Sequence, residues 1–201
     1  NSIDTQDSLL FKTGSLKNFR NGIQHNIPIS FSTNVLKFFQ FSTGTAFRER
    51  WYTQTIRKHF STADSGIVTD TVQGFARASE YNFNASLSTK IYGQMNFRKG
   101  KLLALRHVPT PSVSFNYVPD FSNPRFGYYR QVYNPATRKN DLYSIFENSV
   151  FGTPGRGRVA GIGFNLDNNL EAKVRSNADS VSNTAKVPIL QSLSFSGSYN
   201  F

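Results

Sequence analysis

The stretch Glu80-Tyr-Asn-Phe-Asn-Ala-Ser-Leu-Ser-Thr-Lys-Ile-Tyr-Gly-Gln-Met-Asn-Phe97 alternates without a slip for eighteen residues. Odd positions carry Tyr81, Phe83, Ala85, Leu87, Thr89, Ile91, Gly93, Met95 and Phe97, and even positions carry Glu80, Asn82, Asn84, Ser86, Ser88, Lys90, Tyr92, Gln94 and Asn96. Side chains of a strand point to opposite faces at a period of two, so this segment has one apolar face and one wet face. Its length separates it from ordinary strands. Globular strands run to about 5–6 residues, whereas a strand crossing an outer membrane needs roughly 9–11 and often projects past the bilayer. The segment reads as a strand of a membrane β-barrel.

Outward from it the same pattern recurs. Ile23, His25, Ile27, Ile29 and Phe31 share one parity against Gln24, Asn26, Ser30 and Ser32, with Pro28 on the wet side removing a ladder donor. A tight turn at Thr33 to Val35 leads to Phe39, Phe41, Thr43, Thr45 and Phe47, closed by Trp51 and Tyr52, aromatics suited to the headgroup girdle of a barrel. Residues 53–73, rich in Thr, Ser and Asp, read as a loop. After the basic turn Arg98-Lys99-Gly100-Lys101 comes a strand with Leu103, Leu105, His107, Val113, Phe115 and Tyr117 on one face. It contains Pro109 and Pro111, which demand a bulge or an unpaired stretch.

Residues 119–157 are long and irregular, broken by Asn123-Pro124, Asn134-Pro135 and Gly152-Thr-Pro-Gly155, with Tyr143 to Phe146 as a short excursion of strand. Alternation returns from Ile162 to Val174 and, after a polar connection from Ser176 to Val187, from Leu193 to Phe201. The expected fold is therefore all-β, an antiparallel up-and-down transmembrane barrel segment of about six long strands. Six fall short of the roughly eight that close such a barrel, so the chain reads as part of a larger one. Residues 1–201 form this single partial barrel domain, with 1–22 a loop and 53–73 and 119–157 extracellular loops. Their lengths alternate with the short turns expected on the periplasmic side.

Composition agrees. The chain has 19 Phe and 9 Tyr and no stretch with an apolar stripe at helical spacing. A mean hydropathy of -0.42 suits a barrel, whose strands expose only every second residue to lipid. The first residue is Asn1, and any signal peptide is expected to lie outside this sequence. Cysteine is absent, which removes disulfides and thiolate metal sites. A net charge of +11 calls for an acidic partner or surface.

Chemistry is sparse. Gly155-Arg-Gly157-Arg imitates a phosphate loop but precedes a strand where that motif needs a helix. His25, His59 and His107 are too scattered for a metal triad, and the abundance of Ser makes any Ser/His pairing uninformative. No catalytic residue, metal or cofactor is expected. The basic residues gather at strand ends and in loops among aromatics, a mixture that also serves single-stranded nucleic acid. The strand pattern instead assigns them to a barrel lumen or to acidic glycolipid, with Arg98, Lys99, Lys101, Arg125 and Arg130 as candidate contacts and no nucleic-acid partner.

The run Leu105-Arg-His-Val-Pro-Thr-Pro-Ser-Val-Ser-Phe-Asn-Tyr-Val-Pro119-Asp-Phe resembles a stretch of the C-terminal barrel of the LptD (OstA/Imp) family of outer-membrane proteins. Asn21 to Ser30, Glu49-Arg-Trp-Tyr52, Ser88 to Gly93 and Asn168 to Arg175 look like further blocks of the family, and the likeness extends from about Phe19 onward. It places Arg106, His107, Pro111, Tyr117 and Pro119 in the family's motif. The resemblance implies a very large barrel in the cell outer membrane, plugged by a lipoprotein like LptE and fed through a periplasmic bridge like LptA. Such a barrel passes lipopolysaccharide to the outer leaflet through a lateral gate and performs no catalysis. The family's jellyroll, closing strands and disulfide cysteines have no counterpart in these residues, and the resemblance does not assign its gate prolines to Pro28, Pro109 or Pro111, so no residue here is named as the gate. Two rivals remain: another large outer-membrane barrel, such as a secretion translocon or a TonB-dependent transporter, and a soluble β-sandwich binding module.

Overall fold

The computed structural model describes residues 20–176 and 184–201, so all but the last residues of the expected loop 1–22 lie outside the described residues. The strands are β1 (Gly22–Val35), β2 (Phe39–Ser61), β3 (Gly66–Thr89), β4 (Gly93–Asn96), β5 (Leu102–Val118), β6 (Tyr129–Asn134), β7 (Lys139–Ser144), β8 (Val159–Arg175) and β9 (Thr184–Asn200). One sheet runs β1-β2-β3-β5-β8-β9, with β4 also on β5, and β6 and β7 form a separate two-stranded sheet. The sheet order is the chain order, the mark of an up-and-down meander, and β3–β5, β5–β8 and β8–β9 pair antiparallel. The all-β reading with six long strands holds.

The chain divides into two compact units. One comprises residues 28–46, 82–119, 158–176 and 184–201, and here the register lays the two faces out as rows. Ala85, Phe115, Ile162 and Tyr199 stand side by side across β3, β5, β8 and β9, and so do Leu87, Val113, Phe164 and Gly197. Between these rows lie Ser86, Ser114, Gly163 and Ser198, and next to them Ser88, Ser112, Asn165 and Ser196. A one-residue slip on any strand would exchange its faces, so the apolar and polar rows lock the register together. The apolar rows are uncovered: Tyr199 is 70% exposed, Phe164 58% and Val113 52%. The ring of Phe164 lies across Gly197, so a Cβ there would have to displace that ring.

Several boundaries differ from those expected. The first hairpin turns at Leu36 and Lys37, both at positive φ (52° and 65°), and β1 continues to Val35 through the residues read as a turn. Two successive left-handed residues give the hairpin the twist its strands need, a geometry that Asn-Gly would have advertised and Leu-Lys does not. The long alternating segment is divided. β3 stops at Thr89 and β4 resumes at Gly93, which pairs with His107, so the gap at residues 90–92 lies opposite residues 108–110 of β5. The Ile91 N–H donates to the Pro109 carbonyl at 3.0 Å, so Pro109 faces this neighbour and, like Pro111, has no N–H to return. The required unpaired stretch therefore sits on the partner strand. β9 begins at Thr184, inside the expected polar connection.

The other unit comprises residues 20–27, 47–81 and 120–157. Here residues 53–73 are not a loop: β2 runs to Ser61, β3 starts at Gly66, and only residues 62–65 turn. Alternation was invisible because the open face carries Thr53, Thr55, Arg57 and His59 while the other face is covered by polar and apolar residues alike. A face switch adds to this. Ala76 and Ala78 pack in one cluster with Tyr52, yet Ile67, of opposite parity, packs with Ile56. Between them stands Gly74 with φ +144°, the backbone signature of an irregularity that re-aims the strand. The segment 119–157 contains a full hairpin, β6–β7, and a single 3-10 turn, Pro124–Phe126, capped by Asn123 and by left-handed Gly127.

Candidate functional site

The best-packed region of the chain is built where residues 120–157 lie against β2 and β3. Its core is Tyr52, Ala78 and Phe146, continued by Ile56, Val132 and Tyr143. The Tyr52 and Phe146 rings stack at 4.6 Å, and Tyr52 Oη donates to the Gly152 carbonyl at 3.1 Å. Tyr128 Oη accepts from Ser79 N at 2.7 Å and donates to Ser79 O at 3.1 Å, bonding both backbone groups of one β3 residue. Ile56 N donates to Ile145 O at 2.9 Å, and Lys58 N donates to Tyr143 Oη at 3.1 Å. These side chains use the even parity of β2, the parity that reads Gln40, Ser42 and Arg48 earlier in the strand.

Within this contact lies an ion pair, Arg50 Nη1 to Glu80 Oε2 at 2.9 Å, with side chains only 7% and 16% exposed. The contact is close but off the angle of a hydrogen bond, so the attraction is chiefly charge. Two further atoms of the pair are bonded: Arg50 Nε donates to Gln24 Oε1 at 3.1 Å, and Gly155 N donates to Glu80 Oε1 at 2.9 Å. Strands β1, β2 and β3 and the end of the long loop are thereby joined through one charge pair.

Asp120 closes the loop at its base. Its Oδ1 accepts from Ser122 N at 2.9 Å, Ser122 Oγ at 2.6 Å and Gly157 N at 2.9 Å, bridging the first and last residues of the segment. The Ser122 hydroxyl, then the backbone N–H groups of Ser122 and Gly157, hold its carboxyl below the usual range.

The residues singled out from sequence are not assembled into one place. Arg98, Lys99 and Lys101 occupy the turn between β4 and β5, exposed, whereas Arg125 lies 4.5 Å from the Phe126 ring and Arg130 stands opposite Tyr143 on the β6–β7 hairpin, in the other unit. Arg106 projects from the polar face of β5 with its guanidinium 5.5 Å from the Tyr92 ring, and Glu171 is its register partner on β8. His107 has the opposite parity and contacts Asn168 Oδ1 through Nε2 at 3.2 Å. Pro111 faces Leu166 beside the interruption of β3, Tyr117 stands between Phe83 and Ala160, and Pro119 is fully buried. Sequence reasoning missed Glu80, Tyr52, Tyr128 and Asp120 as a constellation. The only signal was a carboxylate and an arginine on the wet parity of two neighbouring strands. Among the described residues no group of His, Cys, Asp and Glu is placed to hold a metal, and no helix is long and apolar enough to cross a membrane.

The sheet can present lipid with one face and water with the other, and the long loop is fastened by charge and aromatic packing. One comparison identifies the sequence: the family described as LptD protein matches residues 1–201. No curated protein and no solved structure matches the chain.

Proposed function

We propose, on the premise that this chain belongs to the LptD protein family, that its strands are a section of the wall of an outer-membrane lipopolysaccharide translocon. The family acts in lipopolysaccharide transport and assembly in the outer membrane and is not a family of enzymes. The observation that carries the finer reading is the pair of rows described above. Ala85-Phe115-Ile162-Tyr199 and Leu87-Val113-Phe164-Gly197 are open apolar ladders, while the serine and asparagine ladders between them are wet. A soluble sheet covers an apolar face with a second layer; a barrel leaves it to lipid. The serine and asparagine face then lines the lumen.

In this reading residues 1–201 are a partial barrel domain whose remaining strands lie elsewhere, since β1 and β9 are the two ends of the sheet order among the described residues. The short turns after β1 and β4 face the periplasm, and the β2–β3 tip and residues 119–157 face the outside. Arg98, Lys99, Lys101, Arg125 and Arg130 meet acidic glycolipid at the two ends. A lipoprotein like LptE fills the lumen, and a bridge like LptA delivers lipopolysaccharide from the periplasmic side.

The test is depletion of the full-length protein in its own cells, followed by assay of newly made lipopolysaccharide at the surface. Arrest of surface delivery with continued synthesis and internal accumulation of precursor supports the reading. Unchanged delivery refutes transport and leaves a barrel with another cargo.

A further inference from the structure

The strand that carries the longest alternation ends with one side unpaired. Ser88 pairs with Ser112 and, past the interruption, Gly93 pairs with His107, so β3 and β4 are one strand in unbroken register on β5. β4 has β5 as its only neighbour among the described residues. On the other side β2 would be the neighbour, but the hairpin joining β1 to β2 turns at Leu36 and Lys37, and the Phe38 carbonyl accepts from Thr89 Oγ1 at 2.6 Å. The turn is therefore level with Thr89, and the strand runs on alone to Phe97, about 26 Å further at ~3.3 Å per residue. Any strand beyond β1 in a wall is kept about three strand spacings, roughly 14 Å, from β4 by the hairpin between them. The opening is thus set by the register of this chain.

The free side can be read residue by residue. Ile91 N donates to the Pro109 carbonyl at 3.0 Å and Phe97 N to the Leu103 carbonyl at 2.8 Å, so the odd residues bond to β5. Alternate residues of an antiparallel strand turn their N–H and C=O to opposite sides, which leaves those of Lys90, Tyr92, Gln94 and Asn96 pointing away from β5. Proline would block such an edge, but Pro109 and Pro111 lie behind it on β5, where they loosen Lys90 to Tyr92 and leave the free side open. The charges along the edge share one sign. Lys37 lies in the turn at one end, Lys90 on the edge itself, and Arg98, Lys99 and Lys101 in the turn at the other end, while residues 22–48 and 81–119 contain no Asp or Glu. Glu171 stands on β8, two strands from the edge, opposite Arg106. On the other parity Ile91 and Met95 are 55% and 60% exposed.

We propose that the free edge from Lys90 to Phe97 is a strand-addition site for an extended segment of another polypeptide, acidic on one face and apolar on the other. Laid antiparallel beside β4, such a segment takes up the main-chain donors and acceptors of Lys90, Tyr92, Gln94 and Asn96, the source of affinity in β-augmentation. Residues that exchange hydrogen bonds across an antiparallel pair share a face, so its bonding residues are the acidic ones, set between Lys37 and the basic turn. Its alternate residues extend the apolar row of Ile91 and Met95. Backbone groups are not left unpaired in hydrocarbon, so an edge of this length needs water or a partner strand. The site goes beyond the transport reading and takes from it only the compartment, since the turn at Arg98 to Lys101 is there assigned to the periplasm.

The test is residue-resolved amide hydrogen exchange on the full-length protein in detergent, with and without a blocked seven-residue peptide alternating glutamate and valine. In the protein alone Ile91 and Phe97 are expected to be protected, and Tyr92, Gln94 and Asn96 open. Protection of all five overturns the proposal, because the protein's own chain then covers the edge. The peptide is expected to bind and to protect Tyr92, Gln94 and Asn96. N-methylation of its glutamates, which blocks the edge facing β4, is expected to weaken binding about 10-fold or more, and N-methylation of its valines is expected to leave binding near that of the parent. Gln94→Pro removes a donor from the free side alone and is expected to weaken binding about 10-fold, with Gln94→Ala near wild type and Ile91 and Phe97 still protected in both. Absence of binding, equal effects of the two N-methylations, or binding unchanged by Gln94→Pro overturns the proposal. Equal or tighter binding of a lysine–valine peptide overturns the acidic assignment. The two readings fail separately: peptide binding with undisturbed surface delivery on depletion removes the transport reading alone, and arrested delivery without peptide binding removes the edge site alone.

Discussion

Replacing Glu80 by Ala should release the long loop. The substitution removes the carboxylate 2.9 Å from Arg50 Nη1 and the acceptor of Gly155 N, leaving a guanidinium in a site where its side chain is only 7% exposed. An exposed pair would be worth roughly 0–1 kcal/mol. Breaking a buried one costs about 3–5 kcal/mol because the surviving charge stays desolvated. With Glu80 16% exposed, the low end, about 3 kcal/mol, is the appropriate figure. At ~1.4 kcal/mol per tenfold, the opening equilibrium of the loop rises about 100-fold. Trypsin reads this directly, since Arg125, Arg130, Arg138, Lys139 and Arg156 all lie in the segment. When opening is fast relative to cleavage, the rate tracks the open population. The full-length protein in detergent should be nicked about two orders of magnitude faster in the variant, and Lys58→Ala provides the control. The Lys58–Glu147 pair, 22% and 46% exposed, should change the rate only a few-fold. Equal, few-fold effects of Glu80→Ala and Lys58→Ala would refute the claim that a buried charge fastens the loop.

Three further outcomes follow from the geometry. Asp120 has a depressed carboxyl pKa, so its contribution is complete above the ordinary value of 3.8 and is lost as pH falls through the lower folded value. The protection of the Ser122 and Gly157 amides, taken relative to intrinsic exchange at the same pH, should therefore be lost only on acidification below that ordinary value, and in Asp120→Ala it should be reduced at every pH. Lys173 and Lys186 stand directly opposite on β8 and β9, so Lys186→Glu should stabilise the pair by roughly 0.2–1 kcal/mol, read as a higher denaturant midpoint that salt diminishes. Phe83→Arg places a charge on the apolar face and should cost up to about 2–4 kcal/mol of stability in a bilayer, whereas Asn84→Arg, one residue along and facing the other way, should cost little. Equal costs in lipid vesicles would contradict the assignment of the two faces.

Strand existence was legible because period-two alternation records a difference between two environments. From Glu80 to Phe97, from Ile162 to Val174 and from Leu193 to Phe201 one face is apolar and open while the other is polar, and the contrast survives in the sequence. Residues 53–73 show where it does not. There the covered side of β2 holds Gln54, Ile56 and Lys58, the open side holds Thr and Arg, and Gly74 exchanges the faces of β3, so no single parity carries a signal. The family motif was legible as order along the chain, yet Arg106, His107, Pro111, Tyr117 and Pro119 share a strand and its end without sharing an environment.

The sequence alone determined the class of the fold, the number of long strands, the antiparallel meander and the two-faced character of the sheet, because each is a local consequence of side chains alternating along a backbone. Two prolines also announced an irregularity, because a missing N–H is written in the residue type. Only the tertiary structure decided on which strand that irregularity appears, which lysine or arginine meets which carboxylate, and that residues 120–157 are fastened by Arg50, Glu80 and Asp120. Those pairings join residues 30 or more positions apart, and a contact between distant segments depends on register, bulges and loop closure, which no local pattern records.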